Sequence, residues 1–152
     1  MTRTLVLALG NPLRGDDGVA RAVLEGLGQL DLGPEVSLVD GGTAGLHTVL
    51  SIQGWPRVII IDAADFGAEP GTFRRLDIVA QDVESLQVLS DSLHSAGLLE
   101  ALALAAALGE FPPQVTLLGV QPRSLDYTTE LSDEVRAAIP AVVSAVIHAV
   151  AE

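Results

Sequence analysis

Two adjacent carboxylates, Asp16 and Asp17, stand at the exit of a glycine-flanked turn in the run GNPLRGDDGVA, residues 10–20. Gly10 and Gly15 have the spacing of the first two glycines of a phosphate-binding loop, where backbone N–H groups cradle a polyphosphate. Such a loop needs a Lys and a Ser or Thr where this one has two acids, and two negative charges repel a polyphosphate. A cation fits instead, either a proton on a perturbed acid or a hard or borderline metal. Further along, Asp40 ends the apolar run 35–39, Asp62 ends the run 57–61, and His94 lies in a polar stretch before a helix. Asp17, Asp62 and the imidazole of His94 around an open site would make a binding set for Ni(II), Zn(II) or Mn(II). The two carboxylates are also candidates for general base and general acid if their environments separate their pKa values. Structural roles compete with these. Asp16 suits a helix N-cap and Asp17 a first-turn acid, but one cap is enough, which leaves Asp17 the stronger candidate for chemistry. His47 has no acidic neighbour at helical spacing and reads as structural, and His148 reads as a surface residue near a helix end.

The elements that would position these groups alternate between strand and helix. A strand over 5–9 leads through the glycine turn into a helix ending near Gly26 or Gly28. A strand over 35–39 runs into Asp40-Gly41-Gly42-Thr43, with Thr43 placed to cap a helix over 44–53. RVIII, 57–61, is continuous rather than alternating, as in a central parallel strand covered on both faces. Residues 72–76 suit an edge strand, and 77–95 form a polar stretch expected to be mobile. A helix of Leu and Ala over 97–108 is apolar nearly all round and is expected to be buried against the sheet. A strand over 115–120, a loop over 121–129 and a helix over 133–150, kinked at Pro140, complete the chain. The pattern predicts a three-layer α/β domain with a mostly parallel, doubly wound sheet of about five strands, spanning 1–152. Ligands of such sheets sit beyond the carboxyl ends of the strands, where strand order reverses. Asp17, Asp40 and Asp62 all fall on that rim.

Composition narrows the partners. The 152 residues fit one domain, which buries roughly two thirds of the surface its unfolded chain exposes. Aromatic residues are 3% of the chain, too few for base-stacking platforms. A formal charge of −12 repels a phosphate backbone and an anionic membrane alike, so neither nucleic acid nor membrane is an expected partner. There is no cysteine, so a metal would have to be held by oxygen and imidazole nitrogen. The first apolar run is too short for a signal-peptide core, which makes a cytoplasmic protein the expectation; a monomer is expected.

The run GNPLRGDDGVA, the later DGGTAG at 40–45, IIIDAAD at 59–65, SLHSAGL at 92–98 and LGVQP at 118–122 together resemble the hydrogenase maturation proteases. The likeness extends from Leu5 to about Val150, with the motifs in family order and spacing. It implies an endopeptidase that removes a short C-terminal extension from the large-subunit precursor of a nickel-iron hydrogenase once nickel is inserted. By the same resemblance the metal-contacting acids fall on Asp17 and Asp62 and the family's histidine on His94, with Asp16, Gly41, Gly42 and Thr43 in support. The first of those acids is Glu in some members and Asp here, and Ala20 stands where a Gly is often found. Nickel is then carried by the substrate rather than held tightly by the enzyme. The metal could polarise the scissile carbonyl, activate water, or only anchor the substrate while the carboxylates do the chemistry. The alternative is a nickel-binding accessory or metallochaperone module without hydrolytic activity. A carrier should own a nearly complete ligand set, whereas a protease reading metal already held by its substrate needs two or three weak ligands on an open rim.

Overall fold

The computed structural model describes residues 2–83 and 96–152. In chain order the strands are β1 (Thr4–Ala8), β2 (Val36–Asp40), β3 (Arg57–Ala63), β4 (Phe73–Ile78) and β5 (Gln114–Val120). The helices are α1 (Val19–Leu27), α2 (Leu46–Ile52), α3 (Ala96–Ala107) and α4 (Asp133–Ala151). The strands form one sheet in the order β2-β1-β3-β5-β4, parallel except for the edge strand β4, which runs antiparallel to β5. The chain leaves β1 towards β2 and then crosses back over β1 to β3. The order therefore reverses between β1 and β3, and their carboxyl ends flank the crevice that such a reversal opens.

Alternation along the central strands divides the interior into two layers. Leu5, Leu7, Val58 and Ile60 pack with α2 and α3, while Val6, Ala8, Ile59 and Ile61 pack with α1 and α4. All seven residues of β3 are buried, the result of a continuous apolar run covered on both faces. Each buried Ile or Leu contributes about 1.5–3 kcal/mol relative to exposure.

Several sequence expectations are modified by packing. α3 is apolar nearly all round, yet among its residues of described burial only Leu98, Ala101, Leu102 and Ala105 are buried, and Leu108 just beyond it is 59% exposed. One side of a helix meets a sheet, whatever the other side is made of. α4 is long and apolar enough to cross a bilayer, but its Val135, Val142, Val146 and Ala149 are buried in the layer shared with α1. It continues through Pro140, which lies on the exposed side, where water can satisfy the carbonyl that proline leaves without a donor. β4 and a short 3-10 turn, Ala80–Asp82, occupy the start of the polar stretch, and its remainder, including His94, lies outside the described residues.

Candidate functional site

The turn after β1 is built around Gly10. Its φ of +134° is accessible to glycine and strained for other residues, and a Cβ there would lie 2.0 Å from the main-chain oxygen of Asp17. This contact lets the chain fold back so that Gly15–Gly18 forms a 3-10 turn packed against β3 before α1 begins. Neither acid caps α1. The N-cap is Gly18, and no side chain bonds the first turn. Asp17 is half-buried, and its Oδ2 accepts the Asn11 N–H at 2.8 Å. Its Oδ1 is buried and takes no hydrogen bond among the described residues. A carboxylate oxygen so placed suits a proton, a water or a metal ion, because burial without any partner is costly.

Asp62 lies inside β3 rather than beyond it, one residue before the strand ends, and is fully buried. Strand alternation puts it on the side of Val58 and Ile60, facing the α2 and α3 layer. Its Oδ1 accepts the N–H of Ala63 at 2.9 Å. Asp62 lies in β3, and the 3-10 turn that carries Asp17 follows the neighbouring strand β1. Ala8 pairs with Ile61, and the Leu9 N–H donates to the Ile61 carbonyl at 2.9 Å, so the turn bearing Asp17 leaves β1 alongside the end of β3.

The DGGTAG loop forms the next part of the rim. Asp40 Oδ1 accepts the Gly42 N–H at 3.0 Å, and Gly42, at φ +61°, offers its carbonyl to the Gly10 N–H at 2.9 Å. Gly41 donates to the Ala8 carbonyl at 2.8 Å. Gly41 and Gly42 thus tie the end of β2 to the turn after β1. Thr43 is exposed and caps nothing. Gly45, in extended conformation, is the N-cap of α2, and its N–H donates to Thr48 Oγ1 at 3.0 Å. The helix starts later than expected because the local partner of that N–H is Thr48. His47 Nε2 donates to the Gly41 carbonyl at 3.2 Å, a loop-anchoring role. α3 enters at this same rim: a Cβ on Gly97 would lie 2.5 Å from the Ala44 oxygen.

Asp16 faces away from this arrangement. Only 1% exposed, it accepts hydrogen bonds from the N–H groups of Arg123 and Ser124 and from both the N–H and Oγ of Ser132. Both its oxygens are engaged in these hydrogen bonds, which join the turn after β1 to the segment 123–132. Among the described residues no three His, Asp or Glu side chains converge as a metal site, and His94 lies outside them. A residue at this end of the sheet that sequence reasoning passed over is Gln121, 6% exposed, whose amide holds the loop after β3. Its signal was a polar side chain at the end of an otherwise buried strand.

Comparison with known proteins gives this architecture a family. The profile of the hydrogenase maturation proteases matches residues 22–149, a span that includes Asp62. The hydrogenase expression/formation protein HoxM of Cupriavidus necator is 39% identical over 137 residues, covering 89% of this chain and 67% of that protein. The hydrogenase 2 maturation protease of Escherichia coli is 34% identical over 152 residues, 99% of this chain and 92% of that protein. The solved structure of the hydrogenase maturating endopeptidase HybD from E. coli superposes with a TM-score of 0.85 at 34% identity, covering 97% of this chain and 91% of that one. A hydrogenase 2 maturation peptidase from a Thaumarchaeota archaeon gives 0.76 at 36% identity, with 97% of each chain covered. The chain belongs to the hydrogenase maturation protease family.

Proposed function

We propose that this protein is the endopeptidase that removes the C-terminal extension of the nickel-loaded large-subunit precursor of a nickel-iron hydrogenase, acting in the cytoplasm. The observation that carries the reading is the Asp17 carboxylate, with one oxygen held by Asn11 and the other buried without a hydrogen bond among the described residues. It stands beside the strand that bears the buried Asp62, at the reversal of strand order. Family membership supports peptide hydrolysis over simple metal carriage.

In this reading nickel arrives as part of the substrate, and Asp17, Asp62 and His94 complete its coordination. Two carboxylates repel each other at close range, and a positive ion between them relieves that repulsion, so the metal state of the precursor is read electrostatically. The metal supplies Lewis-acid polarisation when present. Asp17 and Asp62 sit in unlike surroundings, one half-buried in a turn and the other fully buried in a strand. Such asymmetry is what allows one carboxylate to take the proton of an attacking water and the other to protonate the leaving amine.

The test is incubation of the purified chain with nickel-loaded precursor and with metal-free precursor in chelator, followed by intact mass. Loss of the tail from the loaded form alone is the expected result. Equal cleavage of both would place recognition in peptide contacts. Nickel transfer without cleavage would favour the metallochaperone reading.

A further inference from the structure

We propose that Asp16 and Gln121 are positioning residues of the proteolytic site, and that the four-residue segment 121–124 after β5 is a brace that fixes Asp17 relative to Asp62. The inference rests on the reading of Asp17 and Asp62 as the reacting pair. It starts from two buried polar side chains that this chemistry does not itself use.

Gln121 faces the Asp62 side of the crevice. Its Oε1 accepts the N–H groups of Phe66 at 2.9 Å and Ala68 at 3.2 Å, and its Nε2 donates to Asp65 Oδ1 at 3.1 Å and to the Pro122 carbonyl at 3.2 Å. The full capacity of the amide is used. Its main chain adds two further links, from its N–H to the Thr72 carbonyl at 2.7 Å and from the Gly71 N–H to its own carbonyl at 2.9 Å. The loop that follows β3, gripped from Asp65 three residues after Asp62, is therefore held to the end of β5 at both its start and its finish.

Asp16 provides the corresponding grip on the Asp17 side. Its Oδ2 accepts from Arg123 N–H at 2.8 Å, Ser124 N–H at 3.2 Å and Ser132 Oγ at 2.8 Å, and its Oδ1 accepts from Ser132 N–H at 2.7 Å. The Asp16 N–H returns a bond to the Ser124 carbonyl at 3.0 Å. Hydrogen bonds to an ionised acceptor are stronger than neutral ones and hold geometry more tightly. Asp17 is the next residue in the same 3-10 turn, so its main chain moves with Asp16.

Together these contacts close a ring from Asp62 through the loop after β3, Gln121, Arg123 and Ser124 to Asp16 and Asp17. Only Pro122 separates the two grips in sequence. A shift of about 1 Å between reacting groups is enough to cost about 100-fold in rate, and the Asp16 carboxylate and Gln121 amide spend their hydrogen bonds inside the protein rather than on substrate. The loss should therefore appear in kcat and leave KM nearly unchanged.

The experiment measures kcat and KM on nickel-loaded precursor for Asp16→Asn, Gln121→Met and the double variant, at a temperature where circular dichroism shows each folded. Ser132→Ala, which removes one of the four bonds to Asp16, is the milder substitute if Asp16→Asn fails to fold. Leu102→Ala, in the α3 layer, is the destabilised control. The expected result is a fall in kcat of about tenfold or more for each single variant with KM within about threefold, and a double variant no worse than the poorer single by more than about threefold. Wild-type kcat in the singles would overturn the brace, as would an equal loss in Leu102→Ala. Asp17→Asn, run in parallel, separates the premise: full activity there would overturn the assignment of the reacting pair, whatever the brace variants do.

Discussion

Gly10→Ala should leave a folded protein with little proteolytic activity, and the structure sets the scale of the defect. A Cβ at residue 10 would lie 2.0 Å from the Asp17 main-chain oxygen, against an ordinary contact of 3.4 Å or more, so the two must separate by about 1.4 Å. The atom in the way is backbone, and no rotamer change relieves the contact. The residue must also keep a φ of +134°, which costs a non-glycine residue about 1–3 kcal/mol if the turn holds. Either Asp17 retreats or the turn opens, and both move the carboxylate held by the Asn11 N–H. A displacement of this size predicts a fall in kcat of about 100-fold or more. Gly33→Ala is the control. It has comparable backbone strain at φ +92°, nothing within 4 Å of its Cβ, and a place in the loop before β2, away from the rim. Single-turnover cleavage of nickel-loaded precursor, followed by intact mass, reports the rate, and thermal melts report stability. Similar melting losses with activity lost only in Gly10→Ala is the expected outcome. Wild-type kcat in Gly10→Ala would refute the claim that this contact sets the position of Asp17.

Two other predictions concern stability. Arg75 donates two 2.6 Å hydrogen bonds to the Glu152 carboxylate and holds its pKa below the usual range, so this pair stabilises the fold above the unfolded glutamate pKa of about 4.3 and the contribution is lost as pH falls through the lower folded value. Glu152→Gln should therefore flatten the acid limb of a stability-against-pH curve measured by urea titration, and an unchanged limb would count against the pairing. Leu102, fully buried between α3 and the sheet, should cost about 2–5 kcal/mol on truncation to Ala, read as a lower urea midpoint at constant slope.

Much of this protein is determined locally. The run VIII is buried in any α/β arrangement because four consecutive apolar residues need cover on both faces, and it became the central β3. The alternation of strand and helix at this spacing leaves little choice but a parallel sheet with right-handed crossovers, and the acids at strand ends then fall on one rim. That two adjacent acids after a glycine turn cannot serve a polyphosphate needs only charge. Tertiary structure decided which partners each acid meets. Asp16 and Asp17 are neighbours of the same type, and no local rule tells one from the other. They differ because Asp16 meets Arg123, Ser124 and Ser132, more than a hundred residues away, while Asp17 keeps an oxygen without a hydrogen bond among the described residues. Thr43 lost its expected cap for a similar reason, since Gly45 found its partner in Thr48. Buried hydrogen bonds are satisfied by whichever group the fold brings within about 3 Å, and sequence separation does not enter that choice.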